Sequence, residues 1–363
     1  MKNVCFLVTS LESGGAENYL LRFLQFSGSQ YNSVVVCKSG KKGVLEEAYK
    51  NAGAKILTIP SGYFNIKAWI QAYKIYKKYK IETVCDFTGN FAGIYLALAK
   101  FAGISKRITF YRRSSHAFKP TKFSLFYDGF VNKLVAKYAT GILANSKHGL
   151  LFFHPNQKAG DQRFQVISNG IDTNDFVSNR TKNQVREVLS IPQNAFVIGH
   201  TGRLNVAKNH PTMLKIAEKI VENHDDVYFL FCGKETEKLA QQTISEKLKK
   251  RLILLGYRTD VNVVLNAIDL YIFPSITEGQ PNALIEAMIS GLPFLASDIE
   301  PIKEAVPESH HHLLFSPLEV DRFTNKILNI LDDQSQLETM SCKAYASEQF
   351  DANTNFNKLT ALL

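Results

Sequence analysis

The stretch LYIFPSITEGQPNALIEAM, Leu270 to Met288, decides how this chain is read. LYIFPS is a short apolar run of the kind that forms a strand buried on both faces. Pro281 suits the first turn of a helix, so the sequence predicts a helix over Pro281–Ile289. Glu278 then stands on the loop between strand and helix, and Glu286 on the helix's second turn. Read alone, these are an ordinary surface glutamate and an ordinary capping one. Two acceptor-only carboxylates about two turns apart could also grip the two ends of one elongated polyol.

The same alternation extends outward. NVCFLVTS, NSVVVCKS, KILTIP, ETVCDFT, RITFYRR, GILANS and RFQVISNGID are strand-like, and most are followed by a longer amphipathic segment, the longest being Lys122 to Tyr138. The pattern restarts with AFVIGHTGRL, a helix carrying Pro211 near its first turn, then DVYFLFCG, RLILLG, LYIFPS and PFLASD. Such βα alternation implies parallel sheets covered by helices. The fold class expected is α/β, with two doubly wound Rossmann-like domains facing across a cleft. The first spans 1–170 and the second 171–346, joined through about Asn169–Pro192, and a C-terminal helix over about 347–363 is the segment expected to pack back on the first. In open α/β sheets ligands sit beyond the carboxyl ends of the strands, so the residues after each strand are the candidates.

Composition narrows the field. With 45% hydrophobic and 21% charged residues the chain is of ordinary globular type. No window approaches a transmembrane span, and MKNVCFLVTS reads as a first strand rather than a signal peptide. Five cysteines without metal-type spacing fit reduced core thiols in a cytoplasmic protein. The net charge of +10 (43 basic against 33 acidic) favours an anionic partner: a nucleotide sugar, an anionic membrane face or nucleic acid. The basic residues are spread rather than clustered and carry no RNA-binding aromatic motif, which argues against nucleic acid.

Three further loops carry candidate chemistry. Gly14-Gly15 follows the first strand, where glycine permits a tight turn and close backbone approach and helix amides could face an anion. GRLNVAKNHP places Arg203 and Lys208 on one loop ahead of a helix. A guanidinium fork and an ammonium suit a diphosphate, and preorganised cations gain value as charge grows on a departing one. TFYRRSSHAF puts Arg112, Arg113, Ser114 and His116 after another strand. Each motif taken singly also reads as a turn or a solvated loop.

Together these blocks resemble the retaining glycosyltransferases of family four, which have the glycosyltransferase-B fold. The matching pieces are GGAE at Gly14–Glu17, VISNGID at Val166–Asp172, GRLNVAKN at Gly202–Asn209 and EGQPNALIEAMISGLPFLASD at Glu278–Asp298. They occur in the right order over nearly the whole chain. The resemblance implies sugar transfer from a nucleotide donor, a UDP-sugar being favoured, with retention at the anomeric carbon. It implies that Arg203 and Lys208 hold the diphosphate, Glu286 the ribose and Glu278 the sugar, helped by Gly279, Gln280, Pro281, Asn282 and Ala283. It places Gly14 and Gly15 against donor or acceptor and His116 near the sugar, with Tyr257 and Arg258 bordering the base. Glu278, His116, Arg203 and Lys208 are the catalytic candidates. Arg112, Arg113, Ser114, His116 and Asn90 are the acceptor-side ones.

Gln280 and Ser168 depart from residues frequent in the family. No Asp-x-Asp triplet occurs, so cationic side chains are expected to replace a metal, and no metal or other cofactor is expected. Double displacement would need a carboxylate on the opposite face of the sugar, for which Glu278 is the candidate. The expected acceptor is a glycan or lipid-linked glycan of surface polysaccharide, lipopolysaccharide or capsule. Two basic amphipathic segments, Asn65–Lys80 and Lys122–Ala139, are candidates for an anionic membrane face, which would make the protein peripheral at the inner face of the cytoplasmic membrane; both also read as ordinary helices with lysines in water. His310–His312 reads as a loop rather than a metal site. The alternatives are a nucleotide-sugar epimerase on the same fold and a non-catalytic binding protein for an anionic ligand.

Overall fold

The computed structural model describes residues 1–62, 64–115, 121–158, 160–242 and 244–363. The chain divides into two compact units, Met1–Gly170 with Ala352–Leu363, and Ile171–Asp351. In the first, strands β1 (Lys2–Val8), β2 (Tyr31–Cys37), β3 (Lys55–Thr58), β4 (Thr83–Asp86), β5 (Lys106–Tyr111), β6 (Gly141–Ala144) and β7 (Phe164–Val166) form one parallel sheet in the order β3-β2-β1-β4-β5-β6-β7. Chain order reverses at β1, which lies between β2 and β4. That is the switch point where a doubly wound sheet opens a crevice.

Alternation along each strand sends side chains to opposite faces. Val4, Phe6 and Val8 join the cluster under the helices Gly15–Ser27 and Ala352–Leu362; Cys5 and Leu7 join the one under Ile66–Lys78, Gly93–Phe101 and Lys122–Tyr138. The last helix belongs to this unit through Phe356, whose ring meets those of Tyr19, Phe23 and Phe26 at 5.3–5.7 Å. Thr83 Oγ1 also donates to the Leu363 carbonyl (2.9 Å). A Cβ on Gly170 would meet the Phe356 ring at 2.8 Å, which explains glycine there.

In the second unit β8 (Phe196–Thr201), β9 (Val227–Cys232), β10 (Leu252–Leu254), β11 (Leu270–Phe273), β12 (Phe294–Ser297) and β13 (Leu314–Phe315) pair in parallel, in the order β10-β9-β8-β11-β12-β13. The switch point is between β8 and β11. β13 escaped the sequence reading because two residues carry no usable periodicity. Arg186, buried, donates to the Ala195 and Ala267 carbonyls and pairs with Asp269 at 2.5 Å, tying the helix Lys182–Val188 to the amino ends of β8 and β11. All five cysteines are free and buried.

Candidate active site

The site in the second unit is built by stitching four loops at the carboxyl ends of β8 to β11. The Gly202 amide donates to the Cys232 carbonyl (2.8 Å), the Leu204 amide to Lys234 (2.9 Å), and the Gly233 amide to Gly256 (2.7 Å). Gly233 sits at φ +157°, and a Cβ there would lie 2.2 Å from the Gly202 carbonyl oxygen, so only glycine lets these turns touch. The Ile276 amide donates to the Ala207 carbonyl (2.8 Å). Asn209, left-handed at φ +57°, starts the helix His210–Val221 and gives its Nδ2 to the carbonyls of Pro274 (3.0 Å) and Pro317 (2.8 Å). Asparagine tolerates this conformation better than most residues.

The stitched loops set Lys208 Nζ 2.7 Å from Glu278 Oε1 and 4.5 Å above the Phe273 ring. Both side chains are less than one-fifth exposed, at 16% and 11%. The Asn205 side chain accepts from the Lys208 amide (3.0 Å), fixing the turn. Gly202 leaves room for the lysine stem, since a Cβ there would meet Lys208 Cε at 3.3 Å. Arg203 is exposed and, among the described residues, has no hydrogen-bond or ion-pair partner. Behind the pair, the Tyr271 hydroxyl accepts from the Thr201 amide (3.1 Å) and bonds Thr201 Oγ1 (2.8 Å). Burial raises this phenol, and the nearby Glu286 and Glu278 add to the rise against the Thr201 bonds.

Glu278, Gly279 and Gln280 lie on the loop before the helix Asn282–Ile289, and Glu286 lies on that helix. Pro281 is its N-cap rather than its first helical residue, and the Asn282 amide is already bonded to the Gln280 carbonyl (2.9 Å). The Asn282 amide is therefore not free to meet a ligand; Ala283 follows within the first turn. Tyr257 is exposed, and Arg258 is clamped by its neighbour Asp260 through two bonds of 2.8 and 2.6 Å. His310, His311 and His312 form a 3₁₀ turn in which His310 stacks on Phe294 while His311 and His312 meet backbone carbonyls. Among the described residues no histidine, cysteine or carboxylate cluster has metal-ligand geometry.

The first unit has its own concavity, a cavity of about 540 Å³ at the carboxyl ends of β1, β2, β4 and β5. Arg112 lies over the Tyr19 ring (3.8 Å) and donates to Asn169; burial lowers its guanidinium to about 10. Arg113 donates to Asn90 Oδ1 (2.8 Å), and Asn90 in turn donates to Asp128 (3.0 Å). Ser114 is buried beside them. His116 lies outside the described residues. Gly14, in extended backbone, caps the helix Gly15–Ser27. Glu17 folds back so that its Oε2 would be 2.5 Å from a Cβ at Gly14, so a carboxylate already stands over the turn expected to face an anion.

The wall of this cavity that the sequence did not mark is Lys38. It is 7% exposed and donates to Asp86 Oδ2 (3.0 Å), Thr88 Oγ1 (2.7 Å) and the Phe91 carbonyl (2.9 Å). Burial holds it below the usual lysine range, with Asp86 opposing. It fixes the loop after β4 that carries Asn90, and its only sequence signal was a lysine ending an apolar strand. A larger hollow of about 710 Å³ lies in the second unit at the amino ends of β11 and β12, where Lys182 pairs with Asp269. It is at the wrong end of the sheet for the stitched loops.

Residues 181–347 match the family of glycosyl transferases group 1. The chain is 28% identical over 345 residues, covering 89% of it and 86% of the relative, to the UDP-Gal:alpha-D-GlcNAc-diphosphoundecaprenol alpha-1,3-galactosyltransferase of Escherichia coli. It is 24% identical, over 83% of its length and 82% of the relative, to the capsular polysaccharide biosynthesis glycosyltransferase CapH of Staphylococcus aureus. Among solved structures, Anabaena Alr3699/HepE in complex with UDP-glucose superposes with a TM-score of 0.84 at 20% identity, covering 99% of both chains. Over residues 181–347 the chain matches the group 1 glycosyl transferases, and as a whole it has the glycosyltransferase-B fold.

Proposed function

We propose that the chain transfers a hexosyl group from a UDP-sugar to a glycan or lipid-linked glycan acceptor in surface polysaccharide synthesis, with retention at the anomeric carbon and without a metal. The observation that carries this reading is the Lys208–Glu278 pair, clamped between the loops after β8 and β11 with Arg203 exposed on the same loop. A diphosphate needs cations and a sugar needs hydroxyl acceptors, and here the two are within one hydrogen bond. As the donor enters, Lys208 exchanges Glu278 for a phosphate oxygen beside Arg203, and Glu278 turns its lone pairs to the sugar. Glu286 takes the ribose hydroxyls, while Tyr257 and Arg258 border the base.

Departure of the nucleoside diphosphate builds negative charge where Arg203 and Lys208 are already placed, so they bind the transition state better than the ground state. The acceptor hydroxyl attacks the face that the diphosphate leaves and passes its proton to the departing phosphate oxygen. The acceptor is assigned to the cavity of the first unit, with Arg112 and Arg113 on its wall and Asn90, which holds Arg113, and Ser114 behind them. The relatives support the donor and acceptor classes: the Escherichia coli enzyme is named for UDP-galactose and a diphospholipid-linked sugar, and the Anabaena protein was solved with UDP-glucose.

The test is calorimetric titration of UDP and GDP, in EDTA, into wild type and Glu286→Ala. Metal-free binding of UDP that the substitution weakens at least tenfold is expected. Folded wild-type protein that binds neither nucleotide would overturn the reading.

A further inference from the structure

Two arginines line the cavity of the first unit with donors unspent. Arg112 Nε and Nη1 and Arg113 Nε are buried and, among the described residues, have no hydrogen-bond partner. A buried donor without a partner is costly, so its place is imposed by what surrounds it rather than chosen by its own bonding. Arg112 is held by the Tyr19 and Phe110 rings and by Asn169. Arg113 rests on one 3₁₀ turn, Gly89–Ala92, and on the Phe153 ring at 5.7 Å. Asn90 of that turn accepts from its Nη2 (2.8 Å), and the Phe91 ring lies 5.3 Å from its guanidinium carbon. The aim of Arg113 therefore follows whatever fixes this turn.

Lys38 fixes it. It follows β2 directly and joins the carboxyl ends of the neighbouring strands. Its amide donates to the Val8 carbonyl at the end of β1 (2.9 Å), and its carbonyl accepts from the Ser61 amide after β3 (2.8 Å). Its ammonium donates to Asp86 at the end of β4, to Thr88, and to the Phe91 carbonyl inside the turn. An ammonium has three protons, so none is left for a ligand, although Lys38 lines the cavity. Asp86 Oδ1 takes the Thr88 amide (2.8 Å) and hydroxyl (2.6 Å), so both charges of the pair are spent on the same loop. The Tyr95 ring, 4.2 Å from the ammonium, and Ser61, bonded to the Tyr95 hydroxyl, complete the surroundings. A buried ion pair is a weak source of stability, since apolar side chains of the same volume often do as well or better. What it supplies here is direction: its bonds hold one turn in one place.

We propose that Lys38, paired with Asp86, is a positioning residue for the acceptor: it sets the turn Gly89–Ala92 so that Arg113 keeps its aim at the cavity. Lys38 touches neither the acceptor nor the reacting atoms. The proposal rests on the assignment of the acceptor to this cavity. The competing role is a strut that serves stability alone, and it differs in a measurable way. Removing a strut lowers the melting temperature and every function together. Removing a positioning residue raises the acceptor KM and leaves donor binding, which belongs to the second unit, as it was.

The experiment compares wild type with Lys38→Met/Asp86→Asn, which removes both charges at once and leaves an amide oxygen for Thr88. Lys38→Met alone would strand a buried carboxylate. Thr88→Val is the milder second variant, because it keeps the ion pair and loosens only the turn; if the double variant does not fold, Thr88→Val decides by the same criteria. The readouts on the full chain are the melt, UDP titration, and the Nε–H NMR signals of Arg112 and Arg113, assigned with Arg112→Lys and Arg113→Lys. Transfer is measured from UDP-galactose or UDP-glucose to a glycosyl diphosphate on a short alkyl chain, a soluble stand-in for the lipid-linked acceptor proposed above. Expected are a shifted Arg113 signal that exchanges faster with water, an unchanged Arg112 signal, and UDP affinity as in wild type. The acceptor KM should rise roughly tenfold at unchanged kcat, the weight of one charge-assisted contact. Thr88→Val should move the same readouts by less. An Arg113 signal identical to that of wild type would overturn the proposal, and so would UDP affinity and transfer that fall together with the melt. Wild type that binds UDP yet transfers to no such probe would overturn the acceptor reading instead, and the Arg113 signal then decides the role of Lys38 by itself.

Discussion

Substituting either member of the Lys208–Glu278 pair separates a donor clamp from a structural strut. At 2.7 Å and an effective dielectric near 20, the gross attraction is about 6 kcal/mol. Desolvation of two groups that are only 16% and 11% exposed cancels most of it, leaving a net of roughly 1–3 kcal/mol. A diphosphate that recruits Lys208 must compete with that net attraction. Lys208→Met removes a charge-assisted contact worth about 1.5–3 kcal/mol to the ligand, so UDP should bind roughly 10- to 150-fold more weakly. Glu278→Gln keeps the shape and releases the ammonium. UDP, which lacks the sugar that Glu278 is assigned to hold, should bind the variant as well as wild type or up to about fivefold more tightly, a gain of about 1 kcal/mol. Sugar transfer by the same variant should fall at least a hundredfold, by analogy with the loss of one preorganised polar group at a transition state.

The assay is isothermal titration of UDP into both variants and the double variant, with thermal melts alongside. A strut predicts something else: both single variants lose stability, at about 2–4 °C per kcal/mol for a unit of this size, and both lose UDP affinity together. Two results would refute the exchange of partners. One is UDP binding to Lys208→Met within threefold of wild type. The other is Glu278→Gln weakening UDP as much as Lys208→Met does.

Three further outcomes follow from the geometry. Gly233→Ala drives a methyl group into the Gly202 carbonyl oxygen at 2.2 Å, so it should cost roughly 2–4 kcal/mol and weaken UDP at least tenfold; a melt and titration indistinguishable from wild type would disprove the stitching. Burial lowers His154 and His210 to about 4 from 6.5, so the unfolded chain alone takes up their protons between those values. The stability they confer is complete above pH 6.5 and lost as pH falls toward 4, on the order of 2–3 kcal/mol each. Both ring nitrogens of His210 lack a partner among the described residues, so His210→Leu should hold the urea midpoint at pH 7 and shrink its fall at pH 5, whereas an unchanged fall would count against this. Arg258→Ala breaks a half-exposed pair with Asp260 and should alter stability by no more than about 0.5 kcal/mol; a three- to tenfold loss of UDP affinity would support its place at the base, and no loss would remove it.

Most strands and helices were legible because they rest on periodicity and on residues adjacent in sequence. LYIFPS is a strand since four consecutive apolar side chains are buried on both faces, and Lys122–Tyr138 is a helix over the whole span that its pattern marks. The candidate cations and carboxylates were legible as types in loops. Their partners were not. Lys208 meets Glu278 across 70 residues and Lys38 meets Asp86 across 48, and no local pattern specifies which lysine a buried carboxylate will find. Asn209 read as one more loop residue until its left-handed backbone and two carbonyl partners made it the joint between the β8 and β11 loops. Tyr271 read only as strand filling, though its hydroxyl anchors the Thr201 turn behind both glutamates. Chemistry carried by one loop is therefore readable one residue at a time. Chemistry carried by two loops has to wait for the strand order, which decides which carboxyl ends are neighbours.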